Sequence, residues 1–155
     1  MLPKYHILVG AIISVLLYLL SNLTPFQASI IFLASLLIDI DHYLFYVFRK
    51  KDINPVKSVR FFYKRRMWLS SLSLSERRKY RNPLMIFHGF EFLVFIGILS
   101  FFNILFFWVL LGAIIHLILD LAESAYLGYP LYLRLSQIYT YFKEKERTGF
   151  FDFDD

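Results

Sequence analysis

The sequence predicts an all-α integral membrane protein: a four-helix bundle with a basic cytoplasmic loop and an amphipathic C-terminal helix. Three observations carry that expectation. Of the 155 residues, 58% are apolar and 20% aromatic, and mean hydropathy is +0.55, too apolar for a small aqueous domain. Four apolar segments approach the roughly 20 residues that cross about 30 Å of hydrocarbon. Twelve of the seventeen Lys and Arg fall between Arg49 and Arg81, where the only acidic residues are Asp52 and Glu76. The absence of cysteine excludes disulfides and thiolate metal sites.

The first segment runs from about Tyr5 to Leu23 and the second from about Phe26 to Phe48. The third covers about Pro83–Phe102 and the fourth about Ile104–Tyr126. Thr24-Pro25 and Asn103 read as short turns, giving two helical hairpins. A signal peptide is the competing reading of residues 1–23, but no small-residue cleavage site is evident there. Residues 1–130 thus form the membrane domain. Residues 131–155 form an interfacial helix, marked by Leu131, Leu135, Ile138 and Phe142, and an acidic tail, Phe151–Asp155, expected to be disordered.

Orientation follows from charge, because Lys and Arg in short loops stay cytoplasmic. The 49–82 loop is then inside, and with four spans both termini face the cytoplasm of a cell (plasma or inner) membrane. The loop mixes basic residues with Phe61, Phe62, Tyr63, Met67 and Trp68, which suits a segment lying on anionic lipid headgroups. It also overhangs the cytoplasmic half of the bundle, where it could hold phosphate headgroups. Ser73 and Glu76 have capping-box spacing and predict a short helix toward Arg81. Nucleic acid is the weaker reading, because topology already explains the charge. Tyr43, Tyr46, Tyr126 and Tyr129 read as an aromatic belt at the cytoplasmic interface.

Ionisable residues inside the apolar segments point to chemistry. These are His6, Asp39, Asp41 and His42, then His88, Glu91, His116, Asp120 and Glu123, and no Lys or Arg lies on the same stretches. On the predicted topology all of them fall in the cytoplasmic half. A carboxylate at a helix centre costs ~2.5–3.5 kcal/mol, so Asp39 and Asp41 together burden their helix by roughly 5–7 kcal/mol before partial depth is considered. Metal cations or protons are the candidate compensation, and imidazole mixed with carboxylate favours metal. At about 100° per residue, Asp39 and His42, His88 and Glu91, and His116 and Asp120 each share a helical face. Asp41 is the misfit, pointing about 160° from Asp39 on a regular helix. It either lines a neighbouring part of the site or marks a local distortion.

His with Asp and Glu suits a divalent ion: zinc first, with manganese or iron as alternatives. The candidate metal ligands are His6, Asp39, Asp41, His42, His88, Glu91, His116 and Asp120, enough for two or more ions. Glu123 lies nearer the interface and is the least expected of the set. Two metals favour phosphoryl chemistry, one activating water and both clamping the transferred group. Asp41 or Glu91 is the candidate general base.

His6, Asp39-Ile40-Asp41-His42 and His116-Leu-Ile-Leu-Asp120, in that order, resemble the predicted inner-membrane metal-dependent hydrolases, including the LexA-regulated type. That family is thought to be distantly like zinc-dependent phospholipase C and the P1 nucleases. The resemblance covers most of residues 1–125 and implies metal ligands at His6, Asp39, Asp41, His42, His116 and Asp120. Two positions depart from the family pattern. Ile38 stands where a proline usually precedes the D-x-D-H element. Phe87-His88-Gly89-Phe90-Glu91 stands in place of a His-Arg-Gly-x-Thr-His-Ser-like stretch. The expected activity is hydrolysis of a phosphoester in a lipid or lipid-linked substrate at the cytoplasmic leaflet. The rival is a metal-ion or proton carrier using the same residues. Against the carrier, the outer half holds nothing more polar than Ser14, Ser29, Ser35, Ser100 and Asn103.

Overall fold

A computed structural model describes residues 3–147 and 149, with side chains from Tyr5 onward. The predicted tail Phe151–Asp155 lies outside the described residues. Helices run in the order α1 (Pro3–Leu20), α2 (Pro25–Leu37), α3 (Ile40–Lys50), α4 (Pro55–Ser71), α5 (Leu74–Arg77), α6 (Phe90–Ser100), α7 (Ile104–Tyr126), α8 (Tyr132–Leu135) and α9 (Gln137–Glu144). Among the described residues there is no strand, only an isolated bridge between Tyr80 and Gly149.

Local chemistry fixes the helix starts. Thr24 and Gln27 form a capping box ahead of Pro25, and Asn103 Oδ1 accepts the Leu105 N–H at 2.9 Å to open α7. Asn54 caps α4 in the same way, again with proline at the first turn. The predicted Ser73–Glu76 capping box is present but opens only the four-residue α5.

Helix α2 is the hub. It packs against α1 on one side and α7 on the other, and α7 continues against α6. Gly112 makes the α2–α7 approach possible. A Cβ there would collide with the Ile31 carbonyl oxygen and lie 2.7 Å from the Ala34 Cβ. Ile31, Ser35 and Ala113 are buried at this seam. Small residues that let backbones meet are the usual packing device between membrane helices.

Two helical stretches are long and apolar enough to cross a membrane: Pro25–Lys50, with mean hydropathy 1.7, and Ile104–Tyr126, with 2.5. Only 28% of either apolar window is buried within the chain, so most of its side chains face outward. Leu20, Phe101 and Phe102 are 80%, 90% and 82% exposed at the helix tips.

Two of the four expected segments fold differently. The 26–48 segment breaks at Ile38–Asp39, where the Asp41 and His42 N–H groups reach back three residues, to Ile38 O (3.5 Å) and Asp39 O (3.1 Å). The 83–102 segment is helical only from Phe90 to Ser100. Its first part is a turn, with the His88 N–H on Met85 O at 2.9 Å, that ends at Gly89 with φ +138°. The basic 49–82 stretch contains a 17-residue helix, α4, that buries Phe61 and Leu69. Tyr46, expected in an interfacial belt, is 1% exposed and directs its hydroxyl to Asp52 at 3.3 Å. The expected C-terminal helix is split into α8 and α9 at Ser136, which caps α9, and Leu131, Leu135, Ile138 and Phe142 are exposed as an interfacial face requires.

Candidate metal centre

The break between α2 and α3 builds the site. Tightening the turn at Asp39 lets Asp39, Asp41 and His42 converge, which a regular helix would forbid for Asp41. Opposite them stand His116 and Asp120 from α7, buried one helical turn apart. His88 enters from the turn before α6, and His6 from α1; both are buried.

Four donor atoms from three chain segments face one another. His88 Nε2 lies 3.0 Å from His116 Nε2, 3.3 Å from Asp39 Oδ1 and 3.4 Å from Asp120 Oδ2. His116 Nε2 lies 3.7 Å from Asp39 Oδ1 and 3.8 Å from Asp120 Oδ2. Ligands on a tetrahedral ion with bonds of about 2.0–2.1 Å sit roughly 3.3 Å apart. Three overlapping groups have donors close enough to share an ion: His6–Asp39–His116, Asp39–His42–His88 and His88–His116–Asp120.

Hydrogen bonds behind the cluster set the imidazole tautomers. His116 Nδ1 is 2.7 Å from the Ser35 carbonyl, which can only accept, so Nδ1 carries the proton. His88 Nδ1 is 3.0 Å from Asp41 Oδ2, which also takes the Phe87 N–H at 3.1 Å. In the neutral rings both Nε2 atoms therefore present lone pairs, 3.0 Å apart. Two lone pairs at that distance repel unless a proton or cation lies between them. The arrangement is the carboxylate–histidine or carbonyl–histidine support found behind metal ligands. His6 adds to the demand. It is fully buried and stacked on His116 at 4.0 Å, yet neither of its ring nitrogens has a hydrogen-bond partner among the described residues. Its Nε2 is 3.4 Å from Asp120 Oδ1.

The structure sorts the expected residues. It brings together His6, Asp39, His42, His88, His116 and Asp120. Asp41 stands behind them, accepting from His88 Nδ1 through one oxygen and lying 2.9 Å from His42 Nδ1 through the other. Both oxygens are engaged by imidazole or backbone N–H groups, and Asp41 falls outside the three donor groups that could share an ion. Glu91 is not in the cluster. His88 precedes the helix, so the shared face expected for His88 and Glu91 does not exist. The Glu91 carboxylate instead caps α9, accepting the Ser136 hydroxyl and the Gln137 and Ile138 N–H groups at 3.2 Å each. Ligand and general-base roles for Glu91 are thereby corrected. Glu123 also stays apart, paired with Arg66 at 2.7 Å.

Sequence reasoning set the basic 49–82 loop over the site but missed Arg134. The acidic residues have no basic neighbour on their own segments, yet Arg134 in α8 puts Nη1 3.2 Å from Asp120 Oδ2. Arg134 is the first basic residue after the long apolar stretch, the one signal available. Beside the cluster a cavity of about 310 Å³ is bordered by Asp39 and His42 on one side and by Arg65, Arg66 and Arg134 on the other. Comparison with family models, characterised proteins and solved structures finds no match.

Proposed function

We propose that this chain is a membrane-embedded, metal-dependent hydrolase acting on a phosphoester in a lipid or lipid-linked substrate at the cytoplasmic leaflet. In this reading the apolar helices form a four-span bundle with both termini in the cytoplasm, α1 and α6 completing the two longer spans. The motif order, which resembles that of the inner-membrane metal-dependent hydrolases, supports this reading. The observation that carries the proposal is the facing pair of His88 and His116 Nε2 atoms, 3.0 Å apart and flanked by two carboxylates.

His88, His116 and Asp120 would hold one ion, and the overlapping groups His6–Asp39–His116 and Asp39–His42–His88 would supply donors for another. All-nitrogen and oxygen donors suit zinc, then manganese or iron. Bound ions would polarise a phosphoryl oxygen and lower the pKa of water. Asp41 fixes the rings of His88 and His42. Asp39 borders the cavity, and its Oδ2, which has no hydrogen-bond partner among the described residues, would be the proton acceptor there.

The test is elemental analysis of full-length protein in neutral detergent. Near-stoichiometric zinc, manganese or iron is expected in the wild type and is lost in both Asp39→Ala and His116→Ala. Metal-dependent turnover of phosphomonoesters or phosphodiesters then completes the case. Absence of metal from wild-type protein purified without chelator overturns it. Metal uptake into vesicles without any turnover would reassign the site to ion transport.

A further inference from the structure

Arg65, Arg66 and Arg134 come from two separate elements, α4 and α8, and line a single cavity beside the metal cluster. Each is held from behind. Arg65 Nη2 donates to Asn82 Oδ1 at 2.9 Å, Arg66 Nη2 pairs with Glu123 at 2.7 Å, and Arg134 Nη1 with Asp120 at 3.2 Å. Asn82 is itself fixed by the buried Glu144 carboxylate, which accepts its backbone N–H at 2.9 Å and its side-chain amide at 3.2 Å. Arg66 keeps a buried Nη1 that has no hydrogen-bond partner among the described residues.

Clustered hydrogen-bond donors argue for an anion. The lining holds three guanidinium groups, whose charges Asp39, Glu123 and, against Arg134, Asp120 balance before any metal enters. Burial and the neighbouring Arg134 lower the Arg65 pKa to about 10, so it stays protonated near pH 7. Guanidinium groups forced together in a partly dry space are the arrangement that recognises phosphate, through paired N–H donors. The rest of the lining is mainly apolar, with Val59, Phe62, Leu127 and Leu133 beside polar groups such as Ser58, Asn82 and Ser124. At about 310 Å³ the cavity is at the lower end of small-molecule sites. It has room for a phosphate head and a short length of chain.

We infer that this cavity is the receptor for a phosphate monoester carried on an apolar chain, with the head between Arg65, Arg66 and Arg134 and the chain along the Val59–Leu133 wall. The inference rests on the proposed hydrolase reading and names its substrate class. A lipid headgroup and a soluble phosphate share this chemistry, and the apolar wall selects the first.

Isothermal titration of metal-chelated, full-length protein in maltoside micelles with octyl phosphate, inorganic phosphate and octanol tests it. Octyl phosphate should bind at least ten-fold more tightly than inorganic phosphate, and octanol should give no saturable heat. Arg66→Gln combined with Glu123→Gln, which keeps the local charge balance, and Arg65→Gln should each weaken octyl phosphate ten-fold or more. Val59→Trp, which enlarges an apolar lining residue, should weaken octyl phosphate while leaving inorganic phosphate unchanged. Equal affinity for the two phosphates, or octyl phosphate binding indifferent to both arginine variants, overturns the inference. Because metal is absent throughout, arginine-dependent binding without later turnover removes the hydrolase reading alone, whereas turnover without such binding removes the cavity assignment alone.

Discussion

At the level of single residues, the fold gathers His6, Asp39, His42, His88, His116 and Asp120 into one cluster, while Asp41 stands behind it and Glu91 apart. Asp41 and Glu91 have the same chemistry as Asp39 and Asp120, and nothing in their local sequence separates a ligand from a support. What separates them is partner geometry: both Asp41 oxygens meet imidazole or backbone N–H donors, and Glu91 sits on the first N–H groups of α9. The two substitutions should therefore diverge. Asp41→Asn leaves every ligand in place but loosens His88 and His42, and metal affinity should fall roughly 10–100-fold, read by competition with a chelating dye. Glu91→Gln should leave metal affinity unchanged and cost about 0.5–2 kcal/mol of stability as a weakened cap, read by thermal unfolding. A Glu91→Gln protein that loses metal would return that residue to the ligand set.

At the level of elements, the fourth segment was legible to its ends, because Asn103 caps it and apolar residues continue without a breaker to Tyr126. The third was not. Its apolar count suggested a full span, but Asn82-Pro83 and Gly89 are breaker signals, and the five residues between Pro83 and Gly89 bend to deliver His88. The site thus uses the part of the segment that fails to be helical. The α2–α3 break was visible only as an anomaly, Asp41 pointing the wrong way round a regular helix. Packing of α2 on α7 makes its own prediction. Gly112→Ala puts a methyl against the Ile31 carbonyl, a backbone atom that cannot swing aside. Destabilisation of about 1–3 kcal/mol is expected, measured as a lower unfolding midpoint in detergent. Because Ser35 O holds His116 on the same seam, metal should be bound more weakly as well.

At the level of the whole molecule, apolar patterning made the all-helical class legible, while the joining of distant parts was not. Arg65 and Arg66 lie in a stretch that reads as a charged surface loop, and Arg134 in one that reads as a peripheral tail. Only the fold turns them toward one cavity. Exposure of most of the apolar surface of the two long helices has a direct consequence. Alkaline carbonate, which strips proteins held by charge alone, should leave the chain in the membrane pellet. Recovery in the supernatant would contradict a bilayer-spanning arrangement.

The contact between Arg134 and Asp120 bears on how such a centre comes to exist. A nest of acids in an oily interior would ordinarily have to wait for its ions before the chain could close around it. Here a tethered cation, supplied from just beyond the last long helix, already occupies part of that electrostatic vacancy. Folding would thereby need no ion, and one that arrived later would meet a site already closed and charge-balanced.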